Sequence, residues 1–189
     1  MSTLLTDEKG KELLELARKS LSHRMATSDE PSCPEDEALH VRAATFVTLK
    51  KDGKLRGCIG TLEPVGPLWE GVRDNAVNAA FHDSRFSPLQ AGELQQIHLD
   101  ISVLSEPTPL QYDGAEDLLV KLRPNIDGVI LSDGRHRATF LPQVWNQLPD
   151  PSRFLDQLSV KAGLAPSTWR KKELEIKTYQ VQSFAEEQP

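Results

Sequence analysis

An α+β fold with a largely antiparallel sheet and flanking helices is what this sequence predicts, on three observations. Two Asp-Gly pairs, Asp52-Gly53 and Asp133-Gly134, each lie between strand-like runs, and Asp-Gly is a strong hairpin signal. Apolar residues recur at helical spacing over 7–23, from Leu68 to about Phe81, and again after Pro151. These helices are interspersed with hairpins rather than alternating strictly with single strands, which argues against a parallel βαβ sheet.

Each element has a local reason. Thr6 can cap the first helix, Asp7 and Glu8 suit the positive end of its dipole, and Leu13, Leu16, Ala17 and Leu21 share a face. "MATSDEPSCPEDEA" is rich in Pro, Ser and acids and reads as a surface loop, about 26–40, with Cys33 an exposed thiol. "RAATFVTLKKDGKLRGCIGTL" is the clearest hairpin. Strict alternation along its second strand sets Leu55, Gly57 and Ile59 on one face and Arg56, Cys58 and Gly60 on the other. Pro64 and Gly66 break that strand, and Pro67 suits the first turn of the next helix, where Leu68, Val72, Ala76, Ala79 and Ala80 follow helical spacing. "HDSRFSP" is a polar turn anchored by Phe86. "QIHLDISVL" then alternates as a half-buried strand, with His98, Asp100 and Ser102 outward. Asp113 and Glu116 read as a capping pair for a short helix through Leu122. "GVILSDGRHRATFL" is a second hairpin, and Pro142 can open a short helix. Asp150 caps the helix from Pro151, with Phe154, Leu155, Leu158 and Ala162 inward and Gly163 at its end. "LEIKTYQVQSF" reads as one last strand.

The chain's 189 residues fit one domain, or one domain carrying a small subdomain. With 22 basic and 28 acidic residues, the net charge of −6 argues against a broad nucleic-acid interface. Arg135-His136-Arg137 and Arg170-Lys171-Lys172 read as solvated surface. No signal peptide is expected from the residues ahead of the first helix, and no apolar run approaches the roughly 20 residues of a membrane span. Cys33 and Cys58 form no CxxC pair, so both are expected as reduced thiols in a cytoplasm. Five histidines show no ligand spacing, so no metal site is expected.

"LRGCIGTLEP" carries the chemistry. Arg56 beside Cys58 can favour a thiolate or hold an anion in a forked contact, and Gly57 and Gly60 can let a ligand approach the backbone. A nucleophilic cysteine usually has a base; His82 is the nearest in sequence, with Asp83 and Arg85 beside it. The bland reading stands next to this one. Buried cysteine behaves as a small hydrophobe, the glycines can admit the alanine-rich helix, and Arg56 can tie down the turn through Asp83 or Glu63.

"FVTLKKDGKLRGCIGTLEP", "AAFHDSRFSPL", "ELQQIHLDISVLSEP", "GVILSDGRHRATFLPQVW" and "FLDQLSVKAGL" together resemble the AMMECR family, known in prokaryotes as AmmeMemoRadiSam system protein A. The resemblance covers about 41–185. Ser159 departs from it, standing where relatives often carry cysteine. The resemblance implies an α+β fold with a larger part built from both chain ends and a smaller inserted part. It sets the RGCIG strand near the cleft between them. It implies partners of the Memo type and the radical-SAM type, and no established reaction or cofactor. Two functional expectations result. One is a cytoplasmic enzyme or enzyme component binding a small anionic ligand, with Cys58 as nucleophile or redox thiol, His82 as base, and Arg56, Gly57, Gly60, Asp83 and Arg85 around the ligand. The other is a non-catalytic adaptor docking a Memo-type or radical-SAM partner through the same surface.

Overall fold

The structure is a computed structural model describing residues 5–187. In chain order its elements are α1 (Asp7–Arg24), β1 (Ala44–Lys51), β2 (Lys54–Gly60), α2 (Leu68–Phe81), β3 (Ile97–Leu104), β4 (Thr108–Pro109), α3 (Gly114–Lys121), β5 (Gly128–Ser132), β6 (Arg137–Phe140), α4 (Pro151–Lys161), α5 (Thr168–Lys171), β7 (Glu175–Tyr179) and β8 (Val181–Ala185). The chain divides into two compact units. One runs to Leu104 and resumes at Gln182; the other is Ser105–Val181. The α+β class and the division into a part from both ends and an inserted part are as expected.

The first unit holds a sheet of order β2-β1-β3-β8. Val47 pairs with Ile101 and Leu49 with Leu99, and this face packs on Leu13, Ala17 and Leu21 of α1 and on Leu68, Val72 and Ala76 of α2. Alternation throws Phe46, Thr48 and Lys50 of β1 to the opposite face, beside Ser102, Asp100 and His98 of β3. Thr6 caps α1 by accepting from the Lys9 N–H at 3.3 Å. Arg18 ties α1 to the segment leading into β3: its guanidinium donates to the carbonyls of Leu94 (2.6 Å) and Ile97 (3.0 Å) and pairs with Glu186.

The second unit has a sheet of order β4-β7-β5-β6 and its own core. Trp145 stacks on Phe154 with ring centres 3.7 Å apart, and its Nε1 donates to the Asp127 carbonyl at 2.7 Å. Asp150 caps α4 through the Arg153 N–H at 2.8 Å, and Gly163 past its end has φ +81°.

Two local expectations fail. "LEIKTYQVQSF" is not one strand: it breaks at Gln180, with β7 in the second sheet and β8 in the first. Strand propensity cannot report which sheet a residue joins. Asp113 makes no side-chain cap with Glu116; Asp117 accepts the Asp113 N–H at 2.8 Å instead.

Candidate functional site

The turn of the first hairpin sets the site's register. Asp52 (φ +51°) and Gly53 (φ +72°) form the two-residue turn that Asp-Gly favours, and Lys51 pairs with Lys54 and Lys50 with Leu55. The next pair is Leu49 with Gly57, so Arg56 is the extra residue of a β-bulge. Beyond it Cys58 pairs with Thr48, and Gly60 with Phe46.

This bulge overturns the expected shared face of Arg56 and Cys58. Cys58 stands with Thr48 on the face away from the helices, and its other neighbours across the bulge are Lys50 and Leu55. Arg56 is carried away from the thiol. Its Nε and Nη2 fork onto the Glu93 carboxylate at 3.1 and 2.9 Å, and Lys51 reaches the same carboxylate at 3.1 Å. Its Nη1 is buried with no hydrogen-bond partner among the described residues. Arg56 thus pairs with Glu93 rather than with Asp83, and its guanidinium is engaged by protein.

Arg56, then the Gln90 N–H, hold the Glu93 carboxyl down to about 2. A depressed acid stabilises the fold above its ordinary value of 4.5 and loses that contribution as the pH falls through about 2. Glu93→Gln should therefore cost about 2 kcal/mol at neutral pH. It should also flatten the acid limb of stability, as urea titrations at descending pH will report.

The glycines admit protein. A Cβ on Gly57 would lie 2.1 Å from the Ala79 carbonyl oxygen of α2, and one on Gly60 would lie 2.3 Å from the Phe46 ring. The space expected for a ligand at these two positions is occupied.

Asp83 and Arg85 do come to Cys58, by way of its backbone. β2 is an edge strand, and Asp83 covers part of that edge by accepting the Cys58 N–H on Oδ2 at 2.9 Å. Arg85 forks onto Asp83 (Nε to Oδ1 at 2.9 Å, Nη2 to Oδ2 at 2.7 Å) and donates to the Cys58 carbonyl at 3.3 Å. The Asp83 side chain is 4% exposed and that of Arg85 55%. Arg85 holds the Asp83 carboxyl well below the usual carboxylate range, against the opposing effect of burial. Asp83 in turn raises Arg85, to which Cys58 adds a smaller charge interaction.

The thiol is half-buried, and its Sγ accepts from the Thr48 hydroxyl at 3.2 Å. His82 ends α2 with its N–H on the Asn78 carbonyl at 2.8 Å; its ring makes no hydrogen bond to Cys58 among the described residues. No thiol–imidazole pair forms with Cys58. Thr48 and Glu93 are the site residues that sequence reasoning missed. An unbulged hairpin would have set Thr48 opposite Gly57, and nothing in "AGELQQ" marks Glu93 as a partner for Arg56.

The AMMECR1 family profile matches residues 14–184. The chain belongs to the AMMECR1 family. A protein of Methanothermobacter thermautotrophicus is 36% identical to this AMMECR1 chain over 186 residues, covering 97% of each. One of Methanopyrus kandleri is 35% identical, covering 100% of this chain and 94% of its own length. The crystal structure of the uncharacterized protein PH0010 from Pyrococcus horikoshii matches with a TM-score of 0.86 and 31% identity, over 98% of this chain and 95% of that one. Among the described residues of this AMMECR1 protein, no helix is long and apolar enough to cross a membrane, and no three metal-ligating side chains cluster.

Proposed function

We propose that this AMMECR1 protein binds a small anionic ligand at the β2 edge, with Arg85 as the anion anchor and Cys58 as the thiol that contacts or attacks it. The observation that carries this reading is the Arg85 guanidinium: more than half exposed, fixed by Asp83 on the Cys58 carbonyl, with Nη1 unengaged among the described residues. Arg56 is already spent on Glu93, so the anchoring role moves from Arg56 to Arg85. Thr48 supports the site by positioning the sulfur, its hydroxyl donating to Sγ at 3.2 Å. The thiols Cys33 and Cys58 are both free, in keeping with a cytoplasmic setting.

The test compares two alkylating agents at Cys58, read by mass spectrometry. In either reaction the sulfur forms a bond to the reagent's methylene carbon and iodide leaves. Anionic iodoacetate should gain on neutral iodoacetamide relative to the same ratio at Cys33. Arg85→Gln should erase the gain, Arg85→Lys should keep part of it, and Thr48→Val should slow both reagents by about threefold to tenfold. A Cys58 inert to both until the protein unfolds, or a ratio untouched by Arg85→Gln, sinks this reading. Docking of a Memo-type or radical-SAM partner through the same edge would then take its place.

A further inference from the structure

A second set of unspent charges lies on the helix side of the first unit, away from Cys58. A cavity of about 280 Å³ opens between the last turn of α1, the loop at Glu30 and Pro31, and α2. Arg24, Glu30, Arg73, Val77 and Asn78 line it. Both arginines lie over aromatic rings: Arg24 is 5.6 Å from the centre of Phe81, and Arg73 is 5.0 Å from that of Trp69. Stacking of this kind holds a guanidinium in place while leaving its in-plane donors available.

The charges are not spent equally. Arg73 donates through Nε to Asp74 at 2.8 Å, so that pair is closed. Arg24 and Glu30 form no ion pair and no side-chain hydrogen bond among the described residues, with each other or with anything else, and the Asn78 amide is likewise unengaged. The dipole of α1 accounts for a cation in its last turn. It does not account for a carboxylate that meets Arg73 only through longer-range attraction, nor for an idle amide facing the same cavity.

These features specify a ligand. Arg24 and Arg73 face the carboxylates of Glu30 and Asp74, with His23 beside them, so a simple anion or cation meets opposing charges on the same wall. A molecule carrying both charges meets Arg24 and Glu30 at once. The volume falls at or below the lower end of the range for drug-sized ligands, which restricts the occupant to a small metabolite. We infer that this cavity binds a small zwitterion of the α-amino-acid class, with its carboxylate on Arg24, its ammonium group on Glu30 and its side chain over Val77.

Isothermal titration of the full chain with a panel of free L-amino acids tests this, together with the matched acid lacking the amine and the matched amine lacking the acid. At least one amino acid should bind, and either truncated ligand should bind about tenfold more weakly or worse. Arg24→Gln and Glu30→Gln, both on exposed side chains, should each weaken the amino acid by a similar factor with unchanged circular dichroism. Cys58→Ser should bind like the wild type, which separates this cavity from the β2 edge. No binding across the panel overturns the inference. So does equal binding of the amine-free acid, or indifference to Glu30→Gln.

Discussion

Gly57→Ala should destabilise the protein by about 3 kcal/mol or more, the upper end of what overpacking costs. The new Cβ would lie 2.1 Å from the Ala79 carbonyl oxygen, far inside van der Waals contact. The obstacle is helix backbone rather than the end of a flexible side chain, so relief requires α2 or β2 to move bodily. β2 cannot shift freely, because Cys58 is held to Asp83 on one edge and to β1 on the other. α2 cannot retreat freely either, since Ala76, Ala79 and Ala80 sit buried in the core. Gly92→Ala is the control. A Cβ there meets nothing within 4 Å, and its stability should stay within about 0.5 kcal/mol of the wild type. Urea denaturation of both variants decides the matter; a Gly57→Ala midpoint equal to that of wild type would mean that the close approach is not what positions α2.

Asp83→Asn should cost about 2 kcal/mol at neutral pH. Removing one member of a buried ion pair costs more than this when the partner is stranded in the interior. Here Arg85 is 55% exposed and can turn to solvent, so the full penalty does not apply. What remains is the loss of a charged acceptor for the Cys58 N–H and for the Arg85 N–H, at 2.9 and 3.1 Å. The pH dependence carries the sign. Asp83 is depressed when folded, so its contribution is complete above the ordinary carboxylate range and is lost as the pH falls below it. Wild type and Asp83→Asn should therefore converge in stability at low pH. A constant gap down to strongly acid conditions would show that the clamp acts through shape rather than charge.

Most of the fold was legible because its causes are local. The cap at Thr6, the Asp52-Gly53 turn, the Asp150 cap and the glycine past α4 each depend on residues within a few positions of one another. The core strands were legible for the same reason: Ile97, Leu99 and Ile101 alternate with polar neighbours and are buried. The break at Gln180 was not, because "TYQVQ" carries no glycine or proline and both halves favour strand. The pairing partners divide them: β7 lies between β4 and β5 in the second sheet, while β8 takes the edge beside β3 in the first.

The candidate site shows the same boundary at finer scale. The sequence determined that an arginine and a thiol share one strand, that glycines flank the thiol, and that an Asp-x-Arg turn follows the next helix. Tertiary structure decided what those neighbours do. One bulged residue turns Arg56 to Glu93, thirty-seven positions away, and leaves Cys58 to Thr48 and to the Asp83–Arg85 clamp. A β-strand has a side-chain period of two, so a single inserted residue exchanges the faces of everything on one side of it. Such an insertion is favoured by what lies across the sheet and over it, here the Ala79 carbonyl against Gly57 and the Glu93 carboxylate beneath Arg56. Those groups are distant in sequence, which is why the strand's residues name the parts of the site and the packing around them assigns the partners.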